Sequence, residues 1–406
     1  MSESKVIKIT ENVYWVGVND DQKQLFESLW SLPFGISYNS YLIIGEEKTA
    51  LVDLVEKSFT EKLVEKINSI FNIKKLDYII LNHLEPDHTG ALKDVTALAK
   101  DAKIVLSKIG IPILKGFYND IKNEIIPIKD GDSLSLGKKT INFIQARFLH
   151  WPETIFSYLE EDGILFSCDA FGSYGILDNG IFDDELDLSF YEKEAKRYFA
   201  NIVSKYAKFV IKAIDKLNQK GIKPKIIAPS HGPIYRSNPE FIISKYYKWS
   251  LPEYERKVVI VYGSMYGNTR QIAIKLKELL ENEGISTVLF DSSYDDVSFM
   301  LREVLDSPAI VFGVPTYDVK MFPKIKYITD LIVSYKDIKG RIAAIFGSYG
   351  WGGGAIKELR AELEKNNFRI IEPIIQIKGA PRQEHFKEAE ILAKNLIQEI
   401  DAFIKE

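Results

Sequence analysis

Cysteine is almost missing from this chain: Cys168 is the only one in 406 residues. That excludes an intramolecular disulfide framework and a built-in four-cysteine iron or zinc module. A reducing compartment fits, and the expected location is cytoplasmic. Apolar runs of about 18 residues, the length a membrane helix needs, are also absent, and the opening MSESKVIKIT has no charged-then-apolar signal pattern. No membrane partner is expected. Charge of one sign is not in excess either: acids and bases are interspersed and the net charge is -4. Without a basic stripe, nucleic acid is not an expected partner. Solenoid repeats and low-complexity tracts are lacking as well. What is there, 46% hydrophobic and 27% charged residues, is enough for two or three domains with real cores.

Histidine is scarce too, with five in the chain, and two of them stand in one loop, NHLEPDHTG, Asn82 to Gly90. Within it His83, Glu85, Asp87 and His88 follow the apolar run LDYIIL. A strand ending there delivers imidazole and carboxylate groups to one place, the donor types that transition-metal ions take. One short loop cannot complete two coordination shells. The missing ligands are expected at other strand ends, and the sequence offers His150 after INFIQARFL, Asp169 after GILFSC and His231 after KIIAPS. Four of the five histidines thus terminate apolar strands. Capping or hydrogen-bonding roles would explain any single one of them, but not the whole set. His385, near a helix start in RQEHFKEAE, reads as a surface residue.

One break in composition stands out. SLPEYERK, Ser250 to Lys257, is polar and separates a helical pattern from the apolar strand KVVIVYG. We expect one domain over residues 1–252 and a second over 253–406. The first mixes strands such as TALVDLV, KIVLS and TIFSYLEEDGILFSCD with helical stretches including the long YEKEAKRYFANIVSKYAKFVIKAIDKL, which suggests an α/β sandwich. The second alternates strand and helix strictly, which predicts a doubly wound parallel sheet.

The order HxExDH, a lone His followed by WP, an Asp, and then SHG resembles the metallo-β-lactamase-like domain of the flavodiiron proteins, and the resemblance extends over nearly the whole chain. It implies an αββα sandwich followed by a flavodoxin-like domain. It also implies two iron ions, one held by His83, Glu85 and His150, the other by Asp87, His88 and His231, with Asp169 bridging. Related zinc hydrolases usually carry histidine where Glu85 stands. Three carboxylates, Glu85, Asp87 and Asp169, favour hard, oxidisable iron over zinc. A dinuclear zinc hydrolase with an electron-transfer domain is the competing reading.

In the second domain, Ser264, Met265, Tyr266, Gly267, Asn268 and Thr269 lie between a strand and a helix, where hydroxyls and free N–H groups can hold a phosphate. The loop is neither GxGxxG nor a Walker loop; it resembles the flavodoxin fingerprint for the phosphate of FMN. Two further loops at strand ends strengthen this. One carries Pro315, Thr316, Tyr317 and Asp318, the other Ser348, Tyr349, Gly350, Trp351, Gly352 and Gly353. Tyr317 and Trp351 could pack on an isoalloxazine ring.

The resemblance implies a terminal oxidoreductase that reduces dioxygen to water, nitric oxide to nitrous oxide, or both. An oxygen sensor with slow turnover is the alternative from another class. Rubredoxin and flavin-reductase extensions are not expected, so electrons would come from a rubredoxin-like protein or a reduced deazaflavin coenzyme. A head-to-tail homodimer, paired again in a tetramer or not, would set the flavin of one chain before the irons of the other. The chain departs from the family's pattern in two places. Glu27 precedes GISYN where many members have histidine. Glu153 follows HWP where aspartate is common, a difference expected to alter the support of His150.

Overall fold

The computed structural model describes residues 5–334 and 340–405. They form two compact units, Met1–Ser250 and Leu251–Glu406.

The first unit is built on two sheets. Seven strands, β1 (Ile7–Thr10), β2 (Val13–Trp15), β3 (Tyr41–Ile44), β4 (Thr49–Val52), β5 (Tyr78–Leu81), β6 (Lys103–Ser107) and β7 (Ile125–Ile128), pair in simple chain order. Pairing is antiparallel through β4 and parallel from β4 to β7. Five more, β8 (Ser133–Ser135), β9 (Thr140–Gln145), β10 (Ile155–Leu159), β11 (Ile164–Cys168) and β12 (Ile226–Pro229), form the second sheet, also in chain order. Only β11 and β12 run parallel there, because the long helical excursion between them forms a crossover.

Alternation along the strands decides which side chains face inward. Val13, Ile43, Val52, Ile80 and Val105 from the first sheet and Phe143, Ile155, Phe166 and Ala228 from the second share one buried cluster. Each large apolar side chain fully withdrawn from water there contributes roughly 1.5–3 kcal/mol. Helices such as Thr60–Ile70 and Ala207–Gln219 are amphipathic, with buried rows of Leu63 and Ile67 and of Val210, Ile214 and Leu217. The result is the expected αββα sandwich.

One long helical expectation breaks up. The stretch from Tyr191 to Leu217 is not one helix: an α-helix, Leu188–Tyr198, runs into a π turn, Phe199–Val203, then a 3-10 turn, Ser204–Tyr206, before the helix resumes at Ala207.

The second unit is built on a five-stranded parallel sheet of β13 (Lys257–Tyr262), β14 (Ser286–Asp291), β15 (Ala309–Gly313), β16 (Ile342–Tyr349) and β17 (Arg369–Lys378), in the order β14-β13-β15-β16-β17. This is the flavodoxin order, with its switch point between β13 and β15. Strands β13 and β15 are buried along their whole length, as helices on both faces require. No helix among the described residues is long and apolar enough to cross a membrane.

His385 is not a surface residue. It is buried, and its Nδ1 accepts from Arg382 N at 2.9 Å, closing the first turn of helix Gln383–Phe403. Its position in the first turn explains the burial, since the free N–H groups there need an acceptor.

Candidate metal centre and flavin loops

Seven side chains from four strand ends meet at one edge of the sandwich. Strand β5 leads into His83, Glu85, Asp87 and His88, the last two within the short helix Pro86–Thr89. The chain after β9 brings His150, β11 ends beside Asp169, and β12 ends just before His231. Backbone around the site is unusual: Asp53, which follows β4, Phe148 and Cys168 all have positive φ, of 51°, 63° and 53°. Such conformations are costly for residues with side chains and concentrate at functional sites. Gly232, at φ 77°, lets the chain turn directly after His231, where a Cβ would lie 2.2 Å from Ser173 Oγ.

The ligand atoms fall into two groups. His83, Glu85, His150 and Asp169 each offer an atom within 4.8 Å of the others, and so do Asp87, His88 and His231. Asp169 stands between the groups. Its Oδ2 is 3.4 Å from His83 Nε2 and 3.5 Å from His150 Nε2, while its Oδ1 is 3.1 Å from His88 Nε2 and 3.4 Å from His231 Nε2. One carboxylate oxygen therefore faces each group. His231 Nδ1 donates to Ser37 O at 2.7 Å, which leaves Nε2 turned inward.

Electrostatics agree with a cation site. Burial opposes charge on His83, Glu85, His88, Asp169 and His231, but the opposed signs outweigh it. The Asp169 carboxyl is held well below the usual carboxylate range by His88 and His231, and Glu85 is held low by hydrogen bonds from His150 and His83. His83 and His88 are pushed up, and His231 rises to about 10 under the pull of Asp169 and Asp87. Even so, Asp87 Oδ1 and Oδ2, His88 Nε2, Asp169 Oδ2 and His231 Nε2 are buried without a hydrogen-bond partner among the described residues. Buried polar atoms are rarely left so. Converging orphan oxygens and imidazole nitrogens fit a pair of divalent ions, with Asp169 able to serve both.

Three contributors were not recognised from sequence, or were assigned elsewhere. Glu153 does not support His150: its Oε1 lies 2.8 Å from His83 Nδ1 and accepts from Leu84 N at 3.1 Å. The chain after His150 turns back across the β5 loop, so its side chain reaches the first histidine instead. Asp53, after β4, forms a buried group with His88 and Cys168. It accepts from Asn82 N at 2.8 Å, and burial, opposed by His88, raises its carboxyl to about 6. An acid directly after a fully buried strand was the available signal. Tyr198 donates to Asp169 Oδ1 at 3.0 Å from a completely buried position; inside a helical pattern, nothing marked it.

Three further residues stand around the histidines. Trp151 sets its ring edge-on to His83 at 5.0 Å and stacks near Phe117, and Tyr38 stands edge-on to His231 at 5.8 Å. Glu27 sits in a strained turn at φ 49°. Although the residue as a whole is exposed, its carboxyl packs toward Glu85, and lost solvation with the Glu85 charge pushes it up to about 7.

In the second unit the expected loops leave the C-terminal ends of β13, β15 and β16, which are neighbours in the sheet. Ser264, Met265, Tyr266 and Gly267 follow β13, and Asn268 and Thr269 open the helix Asn268–Asn282. Gly267 takes φ 83°, and the space over its Cα is open to 4 Å. Pro315, Thr316, Tyr317 and Asp318 follow β15; Ser348 and Tyr349 end β16, and Gly350, Trp351, Gly352 and Gly353 come next. Thr269 and Ser348 hydroxyls are 2.8 Å apart, joining the first loop to the third. Tyr266, Tyr317 and Trp351 are 89%, 48% and 75% exposed, so none is a core residue. Exposed aromatics beside a helix N-terminus can hold a ring and its phosphate together.

Residues 36–232 match the family described as ODP family beta lactamase, and residues 260–391 match Flavodoxin. The chain is 35% identical to the nitric oxide reductase of Moorella thermoacetica, over 98% of this chain and 99% of that one. Its structure aligns with the rubredoxin oxygen:oxidoreductase of Desulfovibrio gigas at a TM-score of 0.94 and 30% identity, covering 98% of this chain and 99% of the other. The flavodiiron protein of Giardia intestinalis aligns equally well, with TM-score 0.94, 30% identity, and 99% and 98% coverage. Likeness over full length in both sequence and structure, joined to a carboxylate-rich double ligand set, leads to one conclusion: the chain belongs to the flavodiiron protein family.

Proposed function

We propose that this protein is an oxidoreductase that reduces dioxygen to water, nitric oxide to nitrous oxide, or both, at a non-haem diiron site supplied by FMN. The observation that carries the reading is Asp169 between two ligand groups, one of which contains Glu85. His83, Glu85 and His150 would hold one iron, Asp87, His88 and His231 the other, with Asp169 shared. When bound, the irons and the flavin supply electrons to a small diatomic oxidant.

The protein's own groups do the positioning. Glu153 holds His83 with Nε2 toward the ligand group, and the Ser37 carbonyl does the same for His231. Trp151 packs edge-on against His83 and stacks near Phe117. Ser264 to Thr269 would hold the FMN phosphate, Tyr317 and Trp351 its ring, and the backbone of Pro315, Thr316, Asp318 and Ser348 to Gly353 would line its edge.

The electron donor is proposed to be a rubredoxin-like protein, with a reduced deazaflavin coenzyme as the alternative, and the assembly a cytoplasmic homodimer or tetramer. Stopped-flow mixing of the reduced, iron- and FMN-loaded protein with each gas tests the reading. Many rapid turnovers support it. One slow event per site would favour a sensor, and zinc with hydrolytic activity would favour a hydrolase.

A further inference from the structure

We propose that Tyr198 is a positioning residue that makes the two metal positions unequal, by hydrogen-bonding to only one oxygen of the shared Asp169 carboxylate. The inference rests on the reading of Asp169 as a ligand common to both positions.

Tyr198 reaches Asp169 by way of a local irregularity. It is the last residue of helix Leu188–Tyr198, and the π turn Phe199–Val203 follows at once. Such a turn inserts an extra residue into the helical repeat, and π turns are frequent at functional sites. The neighbouring Arg197 clamps the helix end. Its Nη1 donates to Ser31 O at 2.8 Å, its Nε pairs with Glu194 at 2.9 Å, and its guanidinium lies 4.3 Å from the Tyr174 ring. Tyr174 in turn packs edge-on to Tyr198 at 5.1 Å, with His231 at 5.7 Å and Phe26 at 6.2 Å. Walled on these sides, the fully buried ring keeps its hydroxyl on Asp169 Oδ1, 3.0 Å away.

The two Asp169 oxygens then differ. Oδ1, which faces His88 and His231, accepts the phenol proton; Oδ2, which faces His83 and His150, has no hydrogen-bond partner among the described residues. A hydrogen bond to a carboxylate oxygen draws off electron density and weakens it as an anionic donor. A weaker anionic donor stabilises the oxidised ion less. The position built from Asp87, His88 and His231 is therefore tuned to a higher reduction potential than it would have without Tyr198, while the other position, facing Oδ2, is shifted less.

The test compares iron- and FMN-loaded wild type with Tyr198→Phe and with a chain carrying 3-fluorotyrosine at position 198, a stronger hydrogen-bond donor. Iron content is measured first, then anaerobic redox titration is followed by Mössbauer spectroscopy. The expected result is an ordered shift of one iron step, lower in the phenylalanine variant and higher in the fluorotyrosine chain, with the other step moving less. If the phenylalanine variant does not fold, the fluorotyrosine chain against wild type decides. Coincident midpoints with both irons retained, or shifts in the same direction for both replacements, would overturn the proposal. Wild type holding fewer than two irons would overturn the shared-ligand reading beneath it.

Discussion

Glu153 Oε1 lies 2.8 Å from Nδ1 of His83, and both side chains are buried. With Nδ1 engaged by a carboxylate, Nε2 is turned toward Glu85 and Asp169, where a metal would take it. Replacing Glu153 with Ala should weaken metal binding by roughly 10–100-fold, the usual cost of losing such a partner, whereas Glu153→Asp should retain most of it. Competition against a chelator of known affinity measures this. Equal affinity in all three proteins would show that His83 needs no partner.

Glu85 adds a third negative charge to Asp87 and Asp169 where the related zinc hydrolases usually have a neutral histidine. Glu85→His should shift preference toward zinc and suppress reductase activity, because a neutral ring no longer stabilises oxidised irons. Metal analysis after growth with both metals, together with turnover, checks it. Retained iron and normal turnover would refute the charge argument.

Asp183 ties down the chain beyond His231. It accepts from Arg236 N at 2.9 Å, Ser237 N at 3.0 Å, Ser237 Oγ at 2.6 Å and Asn238 N at 3.0 Å, just before helix Pro239–Ser250. Burial opposes its charge, but these donors win and hold the carboxyl below its ordinary value. A depressed carboxyl stabilises the fold above its unfolded pKa, about 3.9, and that contribution is lost as pH falls through the folded value. Asp183→Ala should cost roughly 1.5–3 kcal/mol at neutral pH, and its deficit against wild type should shrink as pH drops below about 4. Denaturant melts at several pH values would show it; a deficit independent of pH would contradict it.

Two inactive variants should restore each other if the working unit spans two chains. His88→Ala disables one ligand group, and Gly267→Trp places a bulky side chain at φ 83° in the first flavin loop. After verified subunit exchange, a mixed dimer holds one intact iron site facing one intact flavin, so activity should reappear. Persistent inactivity of mixed dimers, alongside a fully active wild-type monomer, would refute a shared site.

The sequence by itself determined which seven side chains gather at one site and the type of each domain. His83, Glu85, Asp87, His88, His150, Asp169 and His231 are legible because each follows an apolar run, and a buried strand must release its next polar residue at the sheet's edge. The strict strand–helix alternation after Lys257 is legible because parallel strands need crossovers.

Only the tertiary structure decided what stands behind those seven side chains. Glu153 looked like a neighbour of His150 because they are three residues apart, but chain direction after β9 carries it to His83. Tyr198 was one aromatic among several in a helical stretch, and a π turn that no periodicity announces accompanies its contact with Asp169. His385 seemed exposed because it lies among charged residues, yet the first-turn acceptor requirement buried it. Local patterns record which residues leave a strand or start a helix. They do not record which distant backbone passes within 3 Å, because that depends on how separate elements pack, and packing is a property of the whole chain.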